Sequence, residues 1–193
     1  MKKIGKASIL LVVLLLTCLI MAGTKTFDLH ARLQQHAVAA ESARKERAEK
    51  EQAYRDRLAD WVYQNSSKIA RAATRPIVDE AMRYDHPLLL LALIQAESEF
   101  SPTAQSSAQA VGLGQIRWSV WGKTLMKAGI CKEARDLYDI ATNIGAANYI
   151  LIYEIKATNG NFIKALENYV GGKHKRYVDQ VAYNHLHLAT IKK

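Results

Sequence analysis

The chain has 193 residues, of which 49% are hydrophobic and 23% are charged. This balance is that of an ordinary globular protein, and it excludes both a polytopic membrane protein and a wholly disordered chain. Two cysteines are too few for a disulfide-built scaffold or a cysteine-rich zinc module. Four of the nine net positive charges fall within residues 1–26. Because no basic stripe interleaved with aromatics follows, we expect no nucleic-acid partner, and the surplus fits an anionic polymer or a membrane surface.

The N-terminal residues 1–26 predict a signal peptide or a membrane anchor. Three lysines precede an uncharged, mostly apolar run of 18 residues over positions 7–24, which is the order found in export segments. That length stands at the lower limit for crossing a bilayer. We favour an uncleaved inner-membrane anchor over a cleaved signal. In either case we expect the rest of the chain to be exported, on the periplasmic face.

Residues 27–75 predict a charged helical spacer. Six acids and six bases are interleaved within residues 41–60, which is typical of an exposed helix with short-range ion pairs. Apolar residues such as Tyr54, Leu58 and Trp61 are sparse, so we predict a solvated helix, with a coiled coil for self-association as the alternative. A helix from about residue 27 to 69 would extend about 60 Å.

Residues 76–193 predict an all-α domain. Glycine, asparagine and proline separate short apolar helices here, and strand-like alternation is missing. Four helices are predicted, over residues 87–100, 143–159, 162–170 and 177–188. This length suffices for one independent core.

The residues that predict chemistry begin where the first of these helices ends. Glu97 terminates an almost entirely apolar helix, and partial desolvation there would raise the pKa of its carboxyl group and suit it to general acid catalysis. Gly112 and Gly114 allow the backbone to approach a ligand closely. Gln115 offers both a donor and an acceptor to a sugar or an amide.

The motifs resemble those of lytic transglycosylases of the soluble lytic transglycosylase type, members of the lysozyme-like superfamily. Ser106 lies 9 residues after Glu97, and Gly112-Leu113-Gly114-Gln115 ends 18 residues after it, which keeps the family's spacing. A later block, Ala165-Leu166 followed by Tyr169 and Gly171, resembles the family's pattern of Ala-Leu and then Tyr-Asn and glycine. The family's methionine is Gly114 here, and the asparagine after the tyrosine is Val170.

The resemblance implies a lysozyme-like helical fold and a role for each residue. Glu97 would act as general acid and then as base, and Tyr169 would orient or stabilise it through its hydroxyl. Ser106, Gly112 and Gln115 would bind the sugar substrate. The implied reaction cleaves the β-1,4 bond between N-acetylmuramic acid and N-acetylglucosamine of peptidoglycan and leaves 1,6-anhydro ends.

One acid suffices for that reaction, whereas hydrolysis usually requires two carboxylates. Glu99 would point away from Glu97 on a helix, and no acid occurs between residues 100 and 132. A lysozyme-like hydrolase remains an alternative, because three later acids can fold back as the second carboxylate: Glu133, Asp136 and Asp139.

A non-catalytic wall-binding scaffold of an envelope machine is the other alternative, because Gly114 and Val170 depart from the family pattern. We expect no cofactor and no metal, since His185 and His187 would face different sides of a helix and His174 lies among basic residues. Beyond peptidoglycan strands, the expected partners are a membrane and a secretion, conjugation, pilus or phage machine. The expected role is local remodelling or opening of the cell wall.

Overall fold

The structure is a computed structural model that describes residues 6–67 and 69–193, and the side chains of residues 14, 32–67 and 69–193. The chain divides into two units, residues 1–50 and residues 51–193. The first helix, α1, spans Lys6–Gln64. Apart from Leu14, the side chains of the predicted signal or anchor, residues 1–26, lie outside the described residues. Among the residues described, none of the helices has the length and apolar character needed for a bilayer crossing.

The described part of the chain is all-α, as the sequence predicts, with one small sheet. After α1 the elements follow in this order: α2 (Arg71–Ala81), α3 (Pro87–Ser98), β1 (Ala110–Val111), β2 (Ile116–Arg117), α4 (Trp118–Lys127), a 3₁₀ turn (Ala134–Tyr138), α5 (Ile140–Ala157), α6 (Phe162–Val170) and α7 (Lys175–Thr190).

The predicted spacer has two different environments along α1. Residues 32–50 are exposed, as a solvated helix requires. Further along, Tyr54, Leu58, Trp61 and Val62 are buried in the core of the second unit, where the sequence predicted a solvated helix. They are buried because their spacing of three or four residues places them on one face, which packs within the compact unit.

Helix α2 belongs to the same compact unit. It contains Pro76, the residue at which the sequence analysis begins the domain. On its surface the guanidinium of Arg75 donates to Asp79, and that of Arg55 donates to the same carboxylate. These ion pairs join α2 to the part of α1 that lies in this unit, while Ile77 and Val78 are fully buried beneath them.

Helix α3 forms the centre of the core because its side chains are apolar on every face. Pro87 begins the helix, where the missing N–H costs nothing. Leu90, Leu91, Leu93 and Ile94 are fully buried, as expected of a helix without a polar face. The helix packs along α7 and ends at Glu99, which adopts a left-handed conformation with φ of 49°. The catalytic candidate Glu97 therefore lies in the last turn of the most buried helix.

Helices α5 and α6 begin at residues whose side chains cap them. The Asp139 carboxylate accepts from the backbone N–H of Thr142 at 2.9 Å and caps α5. The side chain of Asn161 accepts from the backbone N–H of Lys164 at 3.0 Å and caps α6. Gly171, at φ of 90°, ends α6 in the left-handed region that favours glycine.

The small sheet lies between α3 and α4 and was not predicted. β1 and β2 pair antiparallel, with Ala110 opposite Arg117 and Val111 opposite Ile116. Each strand has two residues, which is too short for an alternating pattern to be recognised. The connection between them, residues 112–115, is called the glycine loop below.

Candidate active site

Glu97 lies half-buried at the end of α3, with its carboxylate in contact with the start of α7. The hydroxyl of Tyr177 donates to Glu97 Oε1 over 2.6 Å. This is the short distance expected of an O–H to carboxylate bond. With Oε1 occupied in this way, Oε2 is the oxygen left to carry an acidic proton.

The surroundings of Glu97 raise the pKa of its carboxyl group to about 7. Desolvation is the larger cause and raises the pKa, and the hydrogen bond from Tyr177 lowers it. A carboxyl group with a pKa near 7 is substantially protonated at neutral pH, and its conjugate base is also accessible. This is the property needed by a group that first donates a proton and then accepts one.

The tyrosine hydroxyl that contacts Glu97 was expected at Tyr169, and no role was predicted for Tyr177. The hydroxyl of Tyr169 donates to the carbonyl of Gly114 at 2.9 Å, whereas Tyr177 makes the direct hydrogen bond to Glu97. Tyr169 is nevertheless close to the acid: desolvation, and then the charge of Glu97, raises the pKa of its hydroxyl. The direct hydrogen bond to Glu97 therefore comes from Tyr177, and a role of Tyr169 in stabilising Glu97 stays a prediction.

The glycine loop is held against Glu97 by side chains from three helices. Ser98 of α3 donates to the carbonyl of Leu113 at 2.7 Å, and Tyr169 of α6 donates to that of Gly114. Asn143 of α5 accepts from the N–H of Gly114 at 2.8 Å. The loop thus has a fixed backbone position directly beside the residue that follows the acid.

Asn143 is the main anchor of this loop. Its side chain is almost fully buried, with 1% exposed. Besides accepting from Gly114, it donates to the carbonyl of Val111 at 3.1 Å and to that of Leu137 at 2.6 Å. One side-chain amide therefore satisfies three buried backbone groups, one each from β1, the glycine loop and the 3₁₀ turn.

Gly112 and Gly114 serve packing within the loop. Gly112 is buried at φ of 73°, and a Cβ atom there would overlap the amide of Asn143 and lie 2.7 Å from the carbonyl oxygen of Leu137. The backbone at Gly112, which was predicted to approach the substrate closely, therefore approaches the side chain of Asn143. At Gly114 a Cβ would lie 2.6 Å from that of Ala147, so this loop has no room for the family's methionine side chain.

Ser106 and Gln115 both hold the backbone of the cleft. The Ser106 hydroxyl oxygen accepts from the N–H of Ala110 at 3.1 Å, which fixes the turn before β1. The Gln115 amide donates to the carbonyls of Gly112 at 3.0 Å and Ala104 at 3.3 Å. The predicted sugar contacts of these two residues stay a prediction.

The other acids considered in the sequence have local roles. Asp136 accepts from the backbone N–H groups of Lys132 and Glu133. Glu133 pairs with Arg135, and Asp139 caps α5. Among the described residues, none of these carboxylates contributes to the pKa of Glu97. Nor do the described residues contain a group of three or more His, Cys, Asp and Glu side chains arranged to hold a metal ion.

Sequence reasoning missed the roles of Tyr177 and Asn143. Tyr177 is 80 residues from Glu97 along the chain, and it was recognised only as the start of a helix. Asn143 was predicted only as the start of a helix. Its signal was a polar residue on the buried face of α5, because Ala146 and Ala147, one turn further along, are fully buried.

A helical domain that presents one half-buried glutamate beside a rigid loop is the architecture of lysozyme-like, glycan-cleaving proteins. The family model described as the transglycosylase SLT domain matches residues 76–185. The chain belongs to this family, which indicates lytic transglycosylase activity on peptidoglycan. Curated proteins yield no match to the chain.

We expect Tyr177→Phe to lower the cleavage rate about tenfold and to move the alkaline limb of the pH profile upward. The substitution removes the hydrogen bond that lowers the pKa of Glu97, so the carboxyl group stays protonated to a higher pH. The rate falls because the acid loses the contact that orients it. Rates of peptidoglycan cleavage between pH 5 and pH 9 provide the measurement.

Tyr169→Phe is the matched control, because its hydroxyl contacts the Gly114 carbonyl. It should reduce the rate through the loop while leaving the alkaline limb in place. If the alkaline limb of the pH profile does not move in Tyr177→Phe, the hydroxyl of Tyr177 does not affect the pKa of Glu97.

Proposed function

We propose that the chain is a lytic transglycosylase that cleaves the β-1,4 bond between N-acetylmuramic acid and N-acetylglucosamine and leaves 1,6-anhydro ends. The observation that carries the proposal is the Glu97 carboxyl group, half-buried, hydrogen-bonded to Tyr177 and with a pKa of about 7. In this role Glu97 is the single catalytic carboxyl group, and Tyr177 is its positioning residue.

In the first step Glu97 donates its proton to the glycosidic oxygen. The bond from C1 of N-acetylmuramic acid to that oxygen breaks, and N-acetylglucosamine leaves with the proton. The acetamido oxygen of the same N-acetylmuramic acid assists the departure by attacking C1. Desolvation favours this step because it keeps Glu97 protonated until the leaving group accepts the proton.

In the second step the Glu97 carboxylate accepts the proton of the C6 hydroxyl of that sugar. The C6 oxygen forms a bond to C1, the bond from the acetamido oxygen breaks, and the 1,6-anhydro ring closes. Glu97 is protonated again and no water is consumed. Since the nucleophile is part of the substrate, its effective concentration is high without a second catalytic carboxylate.

The local roles of Glu133, Asp136 and Asp139 support this reaction over hydrolysis. A hydrolase of the usual type places a second carboxylate about 5–9 Å from the acid. These three acids are engaged near their own position in the chain, with Arg135 and with backbone N–H groups. Glu99 ends α3 in a left-handed conformation and is exposed.

The cellular setting belongs to the same proposal. The positively charged start and apolar run of residues 1–26 support export, with the catalytic unit at the periplasmic face and anchored to the inner membrane. Such a location gives access to peptidoglycan. Local wall remodelling or opening for a secretion, conjugation, pilus or phage machine is the role that we propose.

We expect cleavage in water enriched in oxygen-18 to yield N-acetylmuramic acid ends that carry no label. The new bond at C1 is made by the sugar's own C6 oxygen, so solvent oxygen does not enter the product. Mass spectrometry of the digested strands measures this directly, and each new end should be lighter than a reducing end by one water.

The two alternatives give different products in the same experiment. Labelled reducing ends would identify a lysozyme-like hydrolase and refute the lyase reaction. Binding of strands with no new ends would identify a wall-binding scaffold. A digest by a known lysozyme under the same conditions supplies the positive control for incorporation of the label.

A further inference from the structure

A groove beside the candidate active site is bordered by a group of basic residues, called the basic rim below: Lys173, His174, Lys175 and Arg176. The groove has a volume of about 560 Å³ and is also lined by Ala96, Val170, Tyr177 and Gln180. All four side chains of the basic rim are exposed. The rim joins the end of α6 to the start of α7.

The charge of the basic rim is not neutralised within the compact unit. None of the ion pairs among the described residues involves Lys173, Lys175 or Arg176. Asp179, one turn along α7, is exposed and lines a neighbouring groove with Lys175 and Arg176. Asp179 can neutralise at most one of the three Lys and Arg charges, so at least two positive charges of the basic rim face solvent.

The position of these charges opposes the stability of α7. The N-terminus of a helix carries a partial positive charge and favours acidic residues, but the first turn of α7 has none. Lys175 and Arg176 occupy it instead, and His174 at the N-cap makes no side-chain capping bond. Among the described residues the basic rim serves neither capping nor ion pairing, so its charges are available to an anionic ligand.

The groove adjoins the catalytic candidate through two of its lining residues. Tyr177 lines the groove and its hydroxyl contacts Glu97, and Ala96, which also lines it, directly precedes Glu97 in the chain. Val170, beside Tyr169, lines the same groove. A strand with its scissile bond at Glu97 would therefore present its adjacent substituents to the basic rim.

We infer that the basic rim binds the carboxylates of the peptide stem attached to N-acetylmuramic acid, so that the substrate is the peptide-bearing strand. This inference rests on the proposed function. The lactyl group of a substituted N-acetylmuramic acid is an amide and carries no charge. The negative charges near the scissile bond therefore belong to the stem peptide.

The test compares soluble uncross-linked strands that carry stems with the same strands after an amidase has removed the stems. Binding is measured by fluorescence anisotropy on the full chain carrying Glu97→Gln, so that the strands stay intact. We expect stem-bearing strands to bind about tenfold more tightly, the combined effect of three exposed charge contacts. The preference should weaken at high salt, since exposed charges are screened.

The triple variant Lys173→Ala, Lys175→Ala, Arg176→Ala should lose this preference. The matched control removes three other exposed lysines, Lys123, Lys127 and Lys132, and should retain it. The rim variant is expected to melt no lower than its parent, because it relieves the charge at the start of α7. Loss of the preference together with an unchanged melting temperature supports the inference.

Other results overturn it. Equal affinity for the two kinds of strand, no binding to either, or equal losses in the rim variant and the control would each exclude stem recognition by the basic rim. Binding to phosphatidylglycerol vesicles that stem-bearing strands do not displace, and that the rim variant loses while the lysine control retains it, would assign the rim to a lipid surface. The proposed function is judged separately, by the products that the unmutated chain forms from stem-free strands.

Discussion

Glu97→Gln is expected to reduce peptidoglycan cleavage about a thousandfold or more, because glutamine can neither donate nor accept the proton that the reaction moves. The amide retains the shape of the carboxyl group and the hydrogen bond from Tyr177. The release of soluble fragments from purified peptidoglycan measures the rate. Retention of more than a tenth of the activity would exclude Glu97 as the catalytic acid.

Glu99→Gln is the matched control for this experiment. Glu99 is the neighbouring acid, exposed at the end of α3, and it has no partner role in the proposed reaction. The cleavage rate of this variant should lie within about twofold of that of the unmutated chain, since substitutions of exposed residues outside the active site and the core have small effects. An equal loss in both variants would indicate damage to the end of α3.

The same Glu97→Gln substitution should also stabilise the fold, and increasingly so as the pH rises. The pKa of Glu97 is about 7 in the folded chain, against the ordinary value of 4.5 that it has in the unfolded chain. Below pH 4.5 both states hold the proton and the carboxyl group changes nothing. Between pH 4.5 and 7 the unfolded state loses its proton first, so the unmutated chain loses stability as the pH rises.

Above pH 7 the gain in the free energy of unfolding should reach about 2 to 3 kcal/mol. Urea denaturation of the full chain at pH 4 and pH 8, monitored by tryptophan fluorescence, measures the difference. Trp61 is a suitable reporter because it is 4% exposed. A gain that is the same at both pH values would contradict the raised pKa.

Asn143→Ala should lower the free energy of unfolding by about 3 to 5 kcal/mol. The substitution leaves the N–H of Gly114 and the carbonyls of Val111 and Leu137 without their partner. Buried groups of this kind cost about 1 to 3 kcal/mol each when unsatisfied. Because the substitution also releases the glycine loop, the cleavage rate should fall as well. Urea denaturation and an activity assay on the same preparation measure the two effects.

Asn148→Ala, on the same helix, is the control for this substitution. Asn148 is partly exposed, and the free energy of unfolding should change by less than about 0.5 kcal/mol. If Asn143→Ala costs no more than Asn148→Ala, the glycine loop is held by other contacts, such as those from Ser98 and Tyr169.

Helices α3, α5, α6 and α7 of the compact unit were predictable because most of their ends carry strong local signals, whereas α2 and α4 were not predicted. Pro87 begins α3, Asn161 caps α6 and Gly171 ends it, each by the chemistry that its residue type suggests. The apolar run of α3 likewise indicated a buried helix. Such signals depend on neighbours within one turn, which a single sequence contains.

The contacts that complete the site were not predictable in this way. The hydrogen bond between Tyr177 and Glu97 depends on how α7 packs along α3, and no local pattern encodes it. The same holds for Asn143, whose amide replaces backbone partners that no strand or helix supplies. The resemblance named Glu97 as the candidate acid and expected a tyrosine hydroxyl beside it at Tyr169, whereas the structure has the hydroxyl of Tyr177 in that contact.

The spacer was predicted correctly as a helix, but its charge pattern did not indicate that the part beyond residue 50 packs into the compact unit. The interleaved charges continue past residue 50, so the whole segment resembles one solvated helix. Ion pairs such as that of Arg55 with Asp79 then use those charges inside the compact unit. The charges on one face of α1 therefore did not mean that the whole helix is exposed, because the opposite face is apolar enough to be buried.

The contact between Trp61 and Phe100 has a consequence for the minimum length of a stable domain. The two rings meet edge to face, with centroids 5.7 Å apart, and Phe100 is fully buried three residues after Glu97. A polypeptide that begins at residue 76, where the family match starts, would lack Trp61 together with Leu58 and Val62. Each missing side chain would withdraw about 1.5 to 3 kcal/mol of burial from the layer beneath the acid. We therefore expect a stable catalytic domain to include the part of α1 that precedes residue 76, where the family match begins.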